Sequence, residues 1–188
     1  LIRRNEMPFK DMLALPGVFV NIDETLDEAA YRGVREEIGD CHMYLEQLYT
    51  WGGLNRDPRM RIISVSYMAI VSLDKLKLIQ GDRVSEISFY PVNKLMDEHV
   101  TLAFDHRKMV EYARERIKNK VEYTTIAFEF VNKEFTLPQL QKIHEILLNK
   151  KLYKANFRKK IIGLIEATDK MTEKEAHRPS KYYRLKES

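Results

Sequence analysis

Apolar residues recur along this chain now at helical, now at strand spacing, and the switches between the two set out its elements. Residues 15–25 pass from a turn-forming Pro16-Gly17 pair through an apolar patch to Thr25. Thr25 with Glu28 three residues on has capping-box spacing, and Gly39 is a natural stop, so the pattern predicts a helix over 26–38. Residues 1–4 read as a strand end, 9–14 as a loop with a short strand, and 46–53 as a strand running into a loop. The run Asn55, Arg56, Asp57, Pro58 is a turn signal. Residues 62–71 alternate, with Ile63, Val65, Tyr67, Ala69 and Val71 on one face, as in a central strand. A polar loop over 75–82 and a short strand over 86–91 follow. A helix is then expected over 107–120, with Asp105 as its cap and Val110, Ala113 and Ile117 as its apolar face.

The character changes near Lys120. Residues 123–131 read as a strand. Thr136 and Gln139 form a second capping box, Phe135 can staple to Leu140, and Leu140, Ile143, Leu147 and Leu148 supply a buried stripe. After a polar turn, a helix over 154–165 turns Phe157, Ile161, Ile162 and Ile165 inward and Lys154, Asn156, Arg158, Lys159 and Lys160 outward. Residues 168–185 form a hairpin, with His177, Arg178, Pro179 and Lys181 near its tip. Helix, turn, basic helix and hairpin is the order of a winged helix-turn-helix, which reads double-stranded DNA through its second helix and its wing.

Charge separates the same two parts. The net charge of +4 is made of about +5 in residues 121–188 and about −1 in residues 1–120. Lys150, Lys151, Lys154, Arg158, Lys159 and Lys160 lie together with no acid between them. A basic surface attracts phosphate polymers, so the two parts read as having two jobs. The single Cys41 excludes an internal disulfide framework and fits a reducing cytoplasm. No apolar run approaches a membrane span. The histidines at 42, 99, 106, 144 and 177 have no metal-ligand spacing, and His106, in the first turn of its helix, reads as structural.

The chemistry is concentrated in 15–40, LPGVFVNIDETLDEAAYRGVREEIGD. Glu24, Arg32, Val34, Glu36, Glu37 and Gly39 stand at the spacing of the Nudix box, and the stretch resembles that motif. Three positions depart from it: Val18 stands at the motif glycine, Gly33 at the glutamate after the arginine, and Asp40 at the final aliphatic. Positions 33, 36 and 37 share a helix face, which in the Nudix family holds magnesium against a diphosphate. With Gly33 one carboxylate is gone, so no residue is assigned a catalytic role; any Mg2+ would rest on Glu36 and Glu37.

The segment NRDPRMRIISVSY resembles that of Nudix proteins that handle ADP-ribose, although Asn55 replaces an acidic residue. This implies effector contacts from Arg56, Asp57, Arg59 and Arg61, since arginine forks suit diphosphate oxygens. PFKDMLALPG, AFDHRKMVEYARERIK, FTLPQLQKIHE and NFRKK then extend the resemblance over nearly the whole chain to the NrtR-like regulators; Tyr153 and Ala155 depart from that group. The resemblance implies an α/β (α+β) protein: a Nudix α/β/α sandwich with a mixed sheet over 1–120, joined to a winged helix-turn-helix over 121–188. The family's first strand or two would precede Leu1. The expected function is that of a repressor in the cytoplasm, a homodimer, sensing an ADP-ribose-like molecule or a pentose and binding DNA through Thr136, Lys154, Asn156, Arg158, Lys159, Lys160, His177, Arg178 and Lys181. The alternative is a Mg2+-dependent hydrolase of ADP-ribose or another nucleoside diphosphate derivative, using Glu36 and Glu37.

Overall fold

The capping box at Thr25 closes as its spacing requires. In a computed structural model describing residues 1–39, 43–71, 79, 84–173 and 179–186, Thr25 Oγ1 accepts from Glu28 N at 3.2 Å, and Glu28 Oε2 accepts from Thr25 N at 2.7 Å. Helix α1 runs Leu26–Ile38 and ends where Gly39, at φ 80°, turns the chain with its N–H on Arg35 O. The described residues divide into two compact units, Leu1–Glu115 and Arg116–Ser188.

In the first unit, strand β1 (Ile2–Arg4) pairs antiparallel with both β2 (Leu13–Ala14) and β5 (Val84–Ile87). Strands β3 (Tyr44–Trp51) and β4 (Ser64–Ile70) form a second antiparallel ladder, from Tyr44↔Ile70 to Trp51↔Ser64, with a bulge around the buried Leu48. The Leu13↔Leu102 bridge is the one parallel pairing among the described residues. A short helix α2 (Val92–Leu95) leads toward α3 (His106–Tyr123). The core of this unit gathers Ala14, Ala29, Leu48, Met68, Ile70, Leu95, Leu102, Ala103 and Met109.

Three expectations for this unit change. On β4 the buried side chains are Met68 and Ile70, whereas Ala69 and Ile63 are exposed. Alternation alone names two faces; the residues packed beneath decide which is inside. Strand β5 starts at Val84 and stops at Ile87, before the expected 91. On α3, Met109 and Val121 are buried while Val110, Ala113 and Ile117 are half-buried; Asp105 stands just before the helix start at His106, with its carboxylate engaged by Arg56.

In the second unit, the strand expected over 123–131 is instead the last turn of α3 followed by a 3-10 helix at Ile126–Phe130. Thr124 Oγ1 bonds back to Lys120 O at 2.8 Å, Ile126 and Ala127 are buried, and the Phe128 ring meets Phe135 edge-on at 5.5 Å. The apolar alternation that mimicked a strand is thus wrapped around a tight turn. Helix α4 (Leu137–Leu148) begins at the Thr136–Gln139 box and buries Leu140, His144 and Leu148. Asn149, at φ 51°, closes it in the left-handed region that asparagine tolerates. Helix α5 covers Lys154–Ile161, four residues shorter than expected, because the chain turns through Gly163 and Ile165 already begins strand β7 (Ile165–Met171). Strand β8 (Lys181–Leu185) pairs with β7 and, on its other edge, with β6 (Phe135–Thr136), giving the sheet order β6-β8-β7. Val121, Ile126, Phe135, Leu140, Phe157, Ile161 and Ile165 form this core.

The loop expected over 75–82 (apart from Ile79), Asp40, Cys41, and the wing residues His177 and Arg178 lie outside the described residues. Among the described residues no helix is long and apolar enough to cross a membrane.

Candidate functional site

Arg32 organises the box. Its guanidinium donates to Glu24 Oε2 at 3.0 Å and Oε1 at 2.6 Å, to Glu36 Oε1 at 3.2 Å, and to the Phe19 carbonyl at 2.8 Å. The loop before α1 is thereby fastened to the helix. The bidentate pairing with Arg32, helped by the Asn21 N–H, pulls the Glu24 carboxyl down to about 2. Glu37, half-buried on the same helix, shifts the other way, because burial and then the neighbouring Glu36 both penalise its charge. One Glu37 oxygen is enclosed without a hydrogen-bond partner.

These residues do not make a magnesium cage. Glu36 is shared with Arg32, position 33 offers no donor, and the described residues contain no group of three Asp, Glu, His or Cys side chains placed to hold a metal. Magnesium requires hard oxygen ligands in near-octahedral array, which this helix face does not assemble.

The three arginines of the turn have separate fates. Arg56, with a side chain only 6% exposed, forms a bidentate pair with Asp105 at 3.0 and 2.8 Å and also donates to Ser64 Oγ at 2.7 Å. Its fork is committed inside the unit, where it ties the turn to the start of α3. Arg61 spends its Nη1 on the Gly52 and Gly53 carbonyls at 2.7 and 2.8 Å. Arg59 is different. The buried Asp57 accepts from the Arg59 backbone N–H, Nε and Nη2 at 2.8–3.0 Å, while the Arg59 side chain remains 44% exposed. The Arg59 guanidinium beside it holds the Asp57 carboxyl below its ordinary range. Asp57 therefore aims Arg59, whose side chain stays exposed beyond that pair.

Sequence reasoning missed the group around Phe104. Arg4 lies over its ring at 5.0 Å and Arg59 at 5.8 Å, Phe9 meets it edge-on at 4.7 Å, and His106 lies at 5.2 Å. Phe9, Asp11 and Phe104 all take positive φ, a backbone state costly for side chains of this size. The signal was present as two motifs, PFKDM and AFDH, but nothing local joins segments some 95 residues apart.

His106 is structural, as expected. Its Nδ1 accepts from the Leu15 N–H at 2.9 Å, which requires a neutral imidazole, and burial pushes it down to about 4. Between pH 6.5 and 4 the unfolded chain carries the extra proton, so stability is full above the unfolded value and is lost as pH falls through that window. Urea midpoints measured from pH 7 to pH 4 will fall, and His106→Gln will flatten part of that slope. Burial also lowers His144, which adds to the same slope.

In the second unit α5 presents two polar sides. Lys154, Ala155, Arg158 and Lys159 are exposed around the side away from Phe157 and Ile161. On the flank, Tyr153, Asn156 and Lys160 line a cavity of about 230 Å³ beside His144 and Glu122, and Lys160 Nζ donates to the Glu122 carbonyl near the end of α3 at 3.2 Å. Lys160 thus supports the helix from behind. Thr136 is 5% exposed, and its hydroxyl lies within the box to Gln139. Thr136 is the cap of α4. Thr136→Ala should lower stability by about 1 kcal/mol, read as a lower melting temperature for the second unit. Lys181 is exposed at the tip-side end of the β7–β8 ladder, paired with Met171 and next to the Thr172 and Ser180 hydrogen bonds.

An α/β unit built around a box helix, followed by a winged helix with a basic second helix, defines a class of two-part regulators. Residues 1–113 match the NUDIX domain, and residues 127–185 match the NrtR DNA-binding winged helix domain. The chain is 36% identical over 191 residues to the ADPR responsive transcriptional repressor NtrR of Acinetobacter baylyi, covering 98% of this chain and 74% of that protein. It resembles Shewanella oneidensis NrtR complexed with a 27mer DNA at TM-score 0.82 and 31% identity, covering 98% of this chain and 84% of the other. The NUDIX domain of that NrtR, complexed with ADP ribose, matches 61% of this chain and 74% of its own at TM-score 0.54 and 34% identity. The chain belongs to the NrtR family, which joins a NUDIX domain to a C-terminal winged helix.

Proposed function

We propose that this protein is a transcriptional repressor whose NUDIX unit binds ADP-ribose, or a small molecule with the same diphosphate chemistry, and whose winged helix binds double-stranded DNA. The observation that carries the reading is Arg59. Its Nε and Nη2 are held by the buried Asp57 while the side chain stays 44% exposed, in a unit whose box helix has Gly33 where the motif has a glutamate. On α5, Lys154, Arg158 and Lys159 supply the exposed charge for a DNA groove, with Asn156 at the edge of that surface and Lys181 at the wing. The repressor works in the cytoplasm as a homodimer. The run Phe19, Val20 and Ile22, with Phe19 74% and Ile22 106% exposed, offers apolar surface to a second copy.

Thermal unfolding with ADP-ribose tests the effector half. A ligand that binds only the folded state adds about 2.7 kcal/mol at a hundredfold excess over its Kd, so the melting temperature should rise with ADP-ribose concentration. No rise at millimolar ADP-ribose would overturn the assignment of the effector.

A further inference from the structure

Two departures from the box, Val18 and Gly33, turn out to touch. A Cβ built on Gly33 would stand 3.1 Å from Val18 Cγ2 and 3.2 Å from Val18 Cγ1, tighter than ordinary van der Waals contact. Val18 is half-buried, and its loop is held against α1 by Arg32 through Glu24 and the Phe19 carbonyl. The isopropyl group would have to give by a few tenths of an ångström, against a loop held in place by those contacts. Gly33 lies one helical turn before Glu37, on the face where a side-chain carboxylate would converge with those of Glu36 and Glu37. Val18 covers that spot with methyl groups.

We propose that Val18 and Gly33 are one coupled replacement, in which the Val18 side chain occupies the approach to position 33 and keeps a divalent cation off the box helix. Val18 is then the residue that decides the metal dependence of this unit. A side chain introduced at position 33 alone would be crowded by Val18 at its first carbon and held off the position a cation ligand needs. If the effector reading above holds, the diphosphate binds as the free anion, its charge met by arginine rather than by magnesium. The coupling of Val18 and Gly33 does not depend on which effector binds.

The test needs no effector. Full-length wild type, Val18→Gly, Gly33→Glu and the double variant V18G/G33E are titrated with Mn2+, with free Mn2+ counted by electron paramagnetic resonance, and each is melted by circular dichroism. Wild type and both single variants should bind Mn2+ weakly, within about twofold of one another, and the double variant at least about tenfold more tightly, the scale on which metal sites respond to their supporting shell. Gly33→Glu should melt below the double variant, because Val18→Gly removes the clash. That comparison still reads out if Gly33→Glu folds poorly. Gly33→Glu binding Mn2+ as tightly as the double variant would overturn the coupling. Tight binding by wild type, or no gain in the double variant, would overturn the account of position 33 as the missing ligand.

Discussion

Arg56→Ala should unfold the first unit far more readily than Arg59→Lys. Arg56 and Asp105 are 6% and 17% exposed and share two hydrogen bonds, with a third from Arg56 to Ser64. Removing one member of such a buried pair leaves the other charge enclosed and unmatched, which costs about 3–5 kcal/mol. A unit of this size should lose on the order of 10 °C or more in melting temperature. Arg59→Lys keeps a cation beside Asp57 and loses only the fork. It should lower the melting temperature by a few degrees, well short of Arg56→Ala, while weakening ADP-ribose binding about tenfold or more, the loss expected for a charge-assisted hydrogen bond. Melting curves and calorimetric titration of the two variants separate the roles. Equal destabilisation by both would contradict the division between a structural arginine and a ligand-facing one.

The second large effect falls on DNA. Replacing Arg158 and Lys159 together with Ala removes two exposed cations from α5 without touching its buried face, Phe157 and Ile161. Affinity for the DNA upstream of the protein's own gene should fall at least about tenfold, and the slope of log K against log salt should become shallower by about 0.9 for each phosphate that is no longer neutralised. Lys108→Ala, an exposed change on α3 in the first unit, should leave both unchanged. Fluorescence anisotropy at several salt concentrations reads both quantities. A double variant that keeps the wild-type slope would remove α5 from the DNA-binding surface.

The parts of this molecule that were legible from sequence are those fixed by short-range chemistry. Thr25 with Glu28 and Thr136 with Gln139 each satisfy backbone donors three residues away, so spacing alone placed the starts of α1 and α4. Leu140 and Phe157 were recoverable from helical period. What was hidden depends on partners distant in the chain. The pairing of Arg56 with Asp105, 49 residues on, is one such case. Val18 and Gly33 looked like two unrelated departures until the loop folded onto the helix. The segment 123–131 failed for another reason: Ile126, Phe128 and Phe130 alternate like a strand, but Thr124 returns to Lys120 and continues the helical turn.

The central claim is that one ligand, bound at the first unit, changes the grip of the second on DNA. Coupling of this kind is reciprocal: if ADP-ribose changes the affinity for DNA by some factor, DNA must change the affinity for ADP-ribose by the same factor. The direct measurement is a titration of the labelled upstream duplex with the full chain, with and without saturating ADP-ribose, paired with an ADP-ribose titration with and without unlabelled duplex. The account predicts weaker DNA binding with ADP-ribose, about fivefold or more on the usual scale of such coupling, and an equal weakening of ADP-ribose by DNA. Specific DNA binding that stays the same in saturating ADP-ribose would contradict it.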